Sequence, residues 1–251
     1  MGVGVRGKVL VIGDSCIDIF IYGDIDRVCP EAPVPVFKPT SQTKNPGMAK
    51  NVVANLEVLG VKVDIITNLN NIKKIRYVDN RSNQLVLRVD EHDYCDRVDR
   101  NKLNYLDEYD AIVISDYCKG FLTESDVEYI CNNYKNVFVD IKKYLGEWVK
   151  NATFIKINEF EHKTNLEFWP ECSKLLMDKL IVTRGKMGCE YMGKIFPPEK
   201  KVDIKDVSGA GDTFLAGFVF EYLKNNNVEE SIRFAQECSS KVIKKHGVAT
   251  I

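Results

Sequence analysis

Five short apolar runs limit what this chain can fold into. Residues 9–12 end at Gly13-Asp14, 111–114 at Ser115-Asp116, 137–139 at Asp140, 154–157 at Asn158 and 180–182 at Thr183-Arg184. Each is nearly continuous rather than alternating, which is how a strand covered on both faces reads. Helical spacing lies between them. Residues 49–59 carry Val52, Val53, Leu56 and Leu59 before Gly60, a helix stop. Thr123-Glu124-Ser125-Asp126 resembles a capping box, with Asp as its last member, opening a helix over 127–131. Asn227 with Glu230 predicts the start of a last helix that runs through Ile232, Ala235, Ser239 and Ile243 to Gly247. The alternation predicts an α/β fold with a mainly parallel central sheet, whose ligands sit beyond the carboxyl ends of the strands. The polar residues that end the runs fall on that edge.

Two segments break the alternation. Residues 29–37 (CPEAPVPVF) are too proline-rich for a central strand and suit an edge or a cover. Residues 75–79 and 85–90 are strand-like around a polar Asn80-Arg81-Ser82-Asn83 turn, which predicts a small β lid over the main sheet. With 251 residues and no internal repeat or low-complexity linker, one domain over 1–251 is expected, with lid segments at about 20–40 and 72–92.

Charge and cysteine usage narrow the function classes. The 35 basic and 36 acidic residues nearly cancel and form no long basic run, so a nucleic-acid partner is not expected. Eight scattered cysteines without a C-x-x-C pair, beside three histidines, argue against a metal cluster and suit a reducing cytoplasm. No apolar run reaches membrane-spanning length, so no membrane partner is expected and a cytoplasmic location is.

The stretch with most chemistry is Ser208-Gly209-Ala210-Gly211-Asp212-Thr213. Small residues at a helix start leave amide N–H groups and the positive end of the dipole facing outward, which favours a phosphate or a developing negative charge. A carboxylate beside such a site suits proton transfer from an attacking hydroxyl. A plain glycine-rich turn with Asp212 as a helix-start residue fits this stretch, taken alone, equally well. Neither the dinucleotide G-x-G-x-x-G after the first strand nor G-x-x-x-x-G-K-[ST] is present, and G-x-S-x-G is missing too.

Taken together, several motifs resemble the ribokinase-like (PfkB) sugar kinases, and within them the heptose 7-phosphate kinases. They are Gly13-Asp14-Ser15-Cys16-Ile17-Asp18, the segment Arg27-Val28-Cys29-Pro30-Glu31-Ala32-Pro33-Val34-Pro35, and Asn45-Pro46-Gly47-Met48-Ala49-Lys50-Asn51. Ser115-Asp116-Tyr117-Cys118-Lys119-Gly120, Asn158-Glu159-Phe160-Glu161, Val182-Thr183-Arg184-Gly185 and the Gly-Ala-Gly-Asp of 209–212 complete the set. The resemblance implies a ribokinase-like three-layer sandwich with a small β lid. It also implies transfer of the γ-phosphoryl of ATP to a sugar hydroxyl, with Mg²⁺ and room for a monovalent cation. Asp212 would be the base, and Gly209, Ala210 and Gly211 the anion hole. Asp14, Asp18, Glu31, Gly47, Asn51 and Asp116 would meet the sugar, and Lys119 and Arg76 a phosphate it already carries. Asp18 is expected beyond the carboxyl end of the first strand, where it would accept hydrogen bonds from sugar hydroxyls unless it is simply an exposed loop carboxylate, and Asn51 is expected to offer a polyol both donor and acceptor. Asn158, Thr183, Arg184 and Gly185 would meet the nucleotide, with Ser239 and Ile243 flanking the adenine. Asn158 and Glu161, one helical turn apart, would attend Mg²⁺. Lids of this family often pair between subunits, so a homodimer through the lid is expected.

The chain departs from the pattern in three places. Met48 stands where the family usually has a second glycine. The segment 67–73 is short where relatives insert a helix and a strand, which bears on the sugar side. Phe234-Ala235-Gln236-Glu237 replaces a run of small residues near the adenine. The competing readings are a kinase of another sugar, a nucleoside or a fructose phosphate, and a catalytically silent sugar- or nucleotide-binding module.

Overall fold

In the computed structural model, which describes residues 7–199, 202–245 and 247–251, the apolar runs become neighbours in one sheet. In chain order the elements are β1 (Lys8–Gly13), β2 (Ser15–Val28), β3 (Pro35–Met48), α1 (Ala49–Val58), β4 (Lys62–Thr67), β5 (Ile72–Asp79) and β6 (Leu85–Glu91). Then come β7 (Ala111–Asp116), α2 (Glu124–Asn133), β8 (Val137–Ile141), β9 (Phe154–Asn158), α3 (Glu159–Phe168) and α4 (Cys172–Leu175). The chain closes with β10 (Leu180–Thr183), β11 (Cys189–Tyr191), β12 (Lys194–Phe196), α5 (Ala210–Asn225) and α6 (Val228–Val242).

The central sheet runs β12-β11-β10-β9-β8-β7-β1-β4, parallel from β10 to β4 and antiparallel at β11 and β12. Successive side chains point to opposite faces, so the continuous runs feed two cores. Leu10, Ile12, Ile112 and Ile114 pack with Val127 and Ile130 of α2. Val9, Val11, Ala111 and Val113 pack with Val52 and Leu56 of α1 and with Phe214 and Phe218 of α5. Each fully buried side chain of this size contributes about 1.5–3 kcal/mol, so burial on both faces sets the three-layer sandwich. Phe218 stands 5.2 Å from Phe154 and 6.1 Å from Phe138, ring centroid to centroid. That packing seats α5 on β8 and β9 with its first turn at the carboxyl edge of the sheet.

Local capping follows the sequence in two helices. Thr123 and Asp126 form the reciprocal capping box of α2, and the Asn227 side chain accepts from the amide of Glu230. The last helix stops at Val242, short of Gly247. The Ile243 carbonyl accepts from the amides of Lys205 and Asp206, at 2.9 and 3.3 Å, which spends the acceptor that another turn would use.

A second sheet, ordered β3-β2-β5-β6, forms the lid, and it is larger than the segments expected at 20–40 and 72–92. Its long member β2 begins two residues after β1 ends. The lid segment expected at 20–40 takes in only its second part, because residues 15–28 carry Asp18, Asp24 and Asp26 among their apolar residues. Asp18 therefore lies within a lid strand and not in a loop. The proline-rich segment behaves as expected: Pro35, Pro39 and Pro46 all fall on β3, an edge strand, where a missing N–H costs least. Only residues 68–71 separate β4 of the central sheet from β5 of the lid. The Asn68 side chain accepts from the Ser15 amide (2.7 Å) and donates to the carbonyls of Ser15 and Asn70 (3.1 and 2.8 Å).

Candidate active site

At the carboxyl edge of the central sheet a cleft of about 540 Å³ is lined by Tyr117, Lys142, Lys156, Asn158, Thr183, Arg184, Gly185, Gly209 and Gly211, among others. Gly209 caps α5 with φ at +78°, a left-handed conformation that favours glycine. Gly211 is small for a second reason: a Cβ there would fall 2.9 Å from the Lys156 ammonium. The Lys156 cation thus stands against the first turn of α5, where the helix dipole already favours negative charge. Ala210 does not share this role, since its N–H closes a turn onto the Val207 carbonyl at 3.2 Å. Of the three expected anion-hole residues, Gly209 and Gly211 face the cleft.

Asp212 is 3% exposed. Tyr117 donates its hydroxyl to Oδ1 at 2.6 Å, and the Asn51 amide donates to Oδ2 at 2.9 Å. Burial pushes the Asp212 carboxyl up to about 6, against the pull of those two hydrogen bonds. The group is therefore mostly ionised at neutral pH and poised to take a proton.

The charged wall around it was only partly foreseen. Asp140, at the end of β8, bonds Lys156 at 2.6 Å, and Lys142 bonds Glu161 at 2.6 Å. Burial alone would raise Asp140, but Lys156 and Lys142 hold it below the usual carboxylate range. Burial would likewise lower Lys142, yet the Asp140 and Glu161 carboxylates raise it on balance. Lys156 carried a signal that could have been read: a lysine inside the apolar run FIKI is costly unless paired. Lys142 and Tyr117 carried none beyond their nearness to strand ends.

Other expected residues are present in different roles. Asn51 is 1% exposed and bonded at both ends of its amide, to Asp212 and to Asn55, so it holds the Asp212 carboxylate and leaves neither end of its amide free. Asp14 is fully buried; it accepts the Tyr117 amide at 2.6 Å and the Lys119 and Phe121 amides at 3.3 Å each, and so folds the loop 117–121. Asp116 is also fully buried, paired with Lys143 and accepting the Cys118 amide. Asp18 pairs with Arg76 across the lid, and Gly47 packs against the Asp18 carboxylate. Arg76 and Lys119 thus reach Asp18 and Asp93 as first partners. Glu31 is exposed at the far tip of the β2–β3 hairpin, roughly 40 Å along the strand from the sheet junction at about 3.3 Å per residue. It is not brought to the cleft. Ser239 donates to the Ala210 carbonyl at 3.0 Å and Ile243 caps the segment before α5, so both brace the helix start and neither lines the cleft.

Asn158 and Glu161 form the capping box of α3. Glu161 Oε1 accepts from Lys142 and from the Asn158 amide group, while Oε2 accepts only the Asn158 N–H. A carboxylate has about four acceptor positions, so one stays open on Oε2. Asp140 Oδ1, close by, is buried without a hydrogen-bond partner. These donors fit a magnesium ion that keeps most of its waters and rides on nucleotide phosphates.

The model of the pfkB carbohydrate kinase family matches residues 74–251, which include the cleft and α5. The chain belongs to the pfkB family of carbohydrate kinases. It is a phosphotransferase acting on a sugar hydroxyl. Among curated relatives, the bifunctional protein HldE of a Nitratiruptor species is 31% identical over 296 aligned positions, covering 98% of this chain and 63% of that protein. HldE of Escherichia coli O9:H4 (strain HS) is 29% identical, covering 98% and 62%. The kinase thus spans less than two thirds of the length of these relatives, and an aligned span of 296 positions against its 251 residues means that they also carry inserted segments. Ribokinase from Thermotoga maritima superposes with a TM-score of 0.73 at 17% identity, over 96% of this chain and 94% of that one. Arabidopsis thaliana ribokinase, solved with ribose and ATP, gives 0.68 at 14% identity over 96% and 94%. These likenesses show the ribokinase-like fold.

Proposed function

We propose that the kinase transfers the γ-phosphoryl of ATP to a sugar that already carries a phosphate, heptose 7-phosphate giving the 1,7-bisphosphate. The observation that carries this reading is Asp212, buried and mostly ionised directly behind Gly209 and Gly211 and bonded to Tyr117, three residues that do line the cleft. The sugar hydroxyl gives its proton to Asp212 as its oxygen bonds to the γ-phosphorus; the bond to the bridging oxygen breaks and ADP leaves. The transition state is loose, so the protein contributes positioning and charge. The first turn of α5 and Lys156 face the charge that develops on the migrating group. Thr183, Arg184, Gly185 and Asn158 bind the nucleotide phosphates along the same wall. Asn158 and Glu161 would hold a magnesium ion there, which would supply charge neutralisation. Asp18 and Arg76 of the lid meet the sugar, and lid closure excludes water as a competing acceptor.

The heptose acceptor is supported by the sequence motifs shared with heptose 7-phosphate kinases and by the likeness to the HldE proteins. Pairing of two copies through the lid is supported by exposed apolar residues on its strands and rim, Val28, Val34, Leu85 and Leu87, each half or more exposed. Sedimentation showing monomer alone would remove that part. No helix among the described residues is long and apolar enough to cross a membrane, in line with cytoplasmic work on small molecules. An ATP-consumption assay over sugar, sugar-phosphate, nucleoside and fructose-phosphate acceptors tests the whole. Turnover with heptose 7-phosphate alone supports the reading. Preference for another acceptor moves the substrate, and binding without turnover makes the chain a silent module.

A further inference from the structure

We infer that Tyr117 is a positioning residue for Asp212: its hydroxyl fixes the carboxylate and keeps it in the form that accepts the sugar's proton. The inference rests on the kinase reading above. The contact is direct, 2.6 Å from the phenol oxygen to Oδ1, and the Asn51 amide holds the other oxygen at 2.9 Å. Each carboxylate oxygen therefore has its own donor, one from the loop after β7 and one from α1.

Tyr117 is itself held on every side that the structure describes. Its amide donates to buried Asp14 at 2.6 Å, which fixes the backbone. Two ammonium groups stand by its ring, Lys74 from lid strand β5 at 5.1 Å and Lys142 from beyond β8 at 5.4 Å, measured to the centroid. Lys74 is 7% exposed and makes no ion pair among the described residues, so the ring face is its main partner. One aromatic side chain thus touches the lid, the cleft wall and the base. Burial raises the phenol well above its ordinary acidity range, so it remains a proton donor wherever the carboxylate is ionised.

Besides Tyr117, the ionisable groups facing Asp212 are Asp140 on β8, Lys156 on β9, Lys142 past β8 and Cys16 on β2. Asp140 raises the carboxyl, while Lys156 and the Tyr117 hydrogen bond lower it. Removing the hydroxyl should let the carboxyl climb further from about 6. Hydrogen bonds to charged groups are strong enough that the expected climb is about one pH unit.

Tyr117→Phe keeps the ring and its cations and deletes one oxygen. The acid limb of kcat/KM for the sugar should move up by about one pH unit, a loss of about tenfold below the limb, with KM for ATP unchanged. Carbon-detected NMR titration of the Asp212 carboxyl in the unliganded protein should show the same displacement. Should Tyr117→Phe fail to fold, 3-fluorotyrosine at position 117 keeps the hydroxyl, makes it a stronger donor and should move the limb the other way. An unmoved limb together with an unmoved carboxyl titration overturns the inference. Failure of the kinase reading looks different: the wild-type protein would turn over no acceptor, while the titration would still report on the Tyr117 contact.

Discussion

At the carboxyl edge of the central sheet buried ionisable residues gather behind the cleft wall, Asp116, Asp140 and Lys156 with Asp212 of α5; in the lid sheet they pair as Asp18–Arg76 and Lys73–Glu91 across strands and Arg88–Asp90 along one. The first arrangement leaves groups under strain, with a carboxyl raised to about 6 and an Asp140 oxygen that has no hydrogen bond and only the Lys142 ammonium at 3.6 Å. In the second, most cations stand against a carboxylate of their own, with buried Lys74 and one Asp79 oxygen as the exceptions. Chemistry sits where charge is poorly solvated, and recognition sits where a ligand can exchange for a standing partner. The contrast can be broken by substitution on either side.

The largest effect belongs to Asp212→Asn. It should cut kcat by about 10²–10⁴-fold while ATP still binds, read by steady-state kinetics and calorimetry. The same variant should melt higher at neutral pH. The folded pKa of about 6 lies above the ordinary aspartate value, so ionising Asp212 costs the native state stability. That cost is absent at low pH and is reached as pH rises through about 6. Its removal is worth on the order of 1–3 kcal/mol at pH 7, and the advantage of the Asn variant should fade between about pH 6 and 4. A variant no more stable than wild type at pH 7 would contradict the strained edge.

Next comes Gly211→Ala. Its methyl would crowd the Lys156 ammonium at 2.9 Å and displace the site by a fraction of an ångström, for about a hundredfold loss of kcat with little change in melting. On the lid side, Arg76→Ala would leave the buried Asp18 carboxylate unpaired. About 3 kcal/mol should be lost locally, seen as a raised KM for the sugar with KM for ATP held. Equal changes in both KM values would mean that the lid and the cleft are one unit.

The smallest effect tests the joint between the sheets. Met48 caps α1 at φ 58° and ψ −132°, a conformation that favours glycine, yet it is 3% exposed. Met48→Gly relieves strain and loses packing, so its melting point should stay close to wild type. Met48→Ala loses packing alone and should be the less stable of the two by about 1–2 kcal/mol. The reverse order would show that the backbone there is unstrained.

The difference between the sheets also explains what could be read from sequence. Buried parallel strands such as 9–12 and 111–114 announce themselves because both faces must be apolar. The first part of lid strand β2 lay outside the expected lid segment because Asp18 finds its partner only after β5 is laid beside it, Arg76 being 58 residues away. The glycines of 209–211 and the carboxylate of 212 were legible, since local backbone demands appear in local sequence. Lys142 gave no signal, Tyr117 only a place in a motif, and Asp14 was expected to meet the sugar, because their tasks are set by neighbours that the fold supplies. Asp14 resembles a ligand-binding carboxylate in sequence, and only its fully buried place among three amides shows it to be scaffold.

The amide of Asn68 reaches two of the covalent crossings between the two sheets, binding Ser15 on one and Asn70 on the other. With so little slack at those two crossings, the lid edge they hold is better suited to tilting about that pin than to sliding or lifting away. A sugar would then be admitted by a change of angle, and the pin would meter the width of the opening.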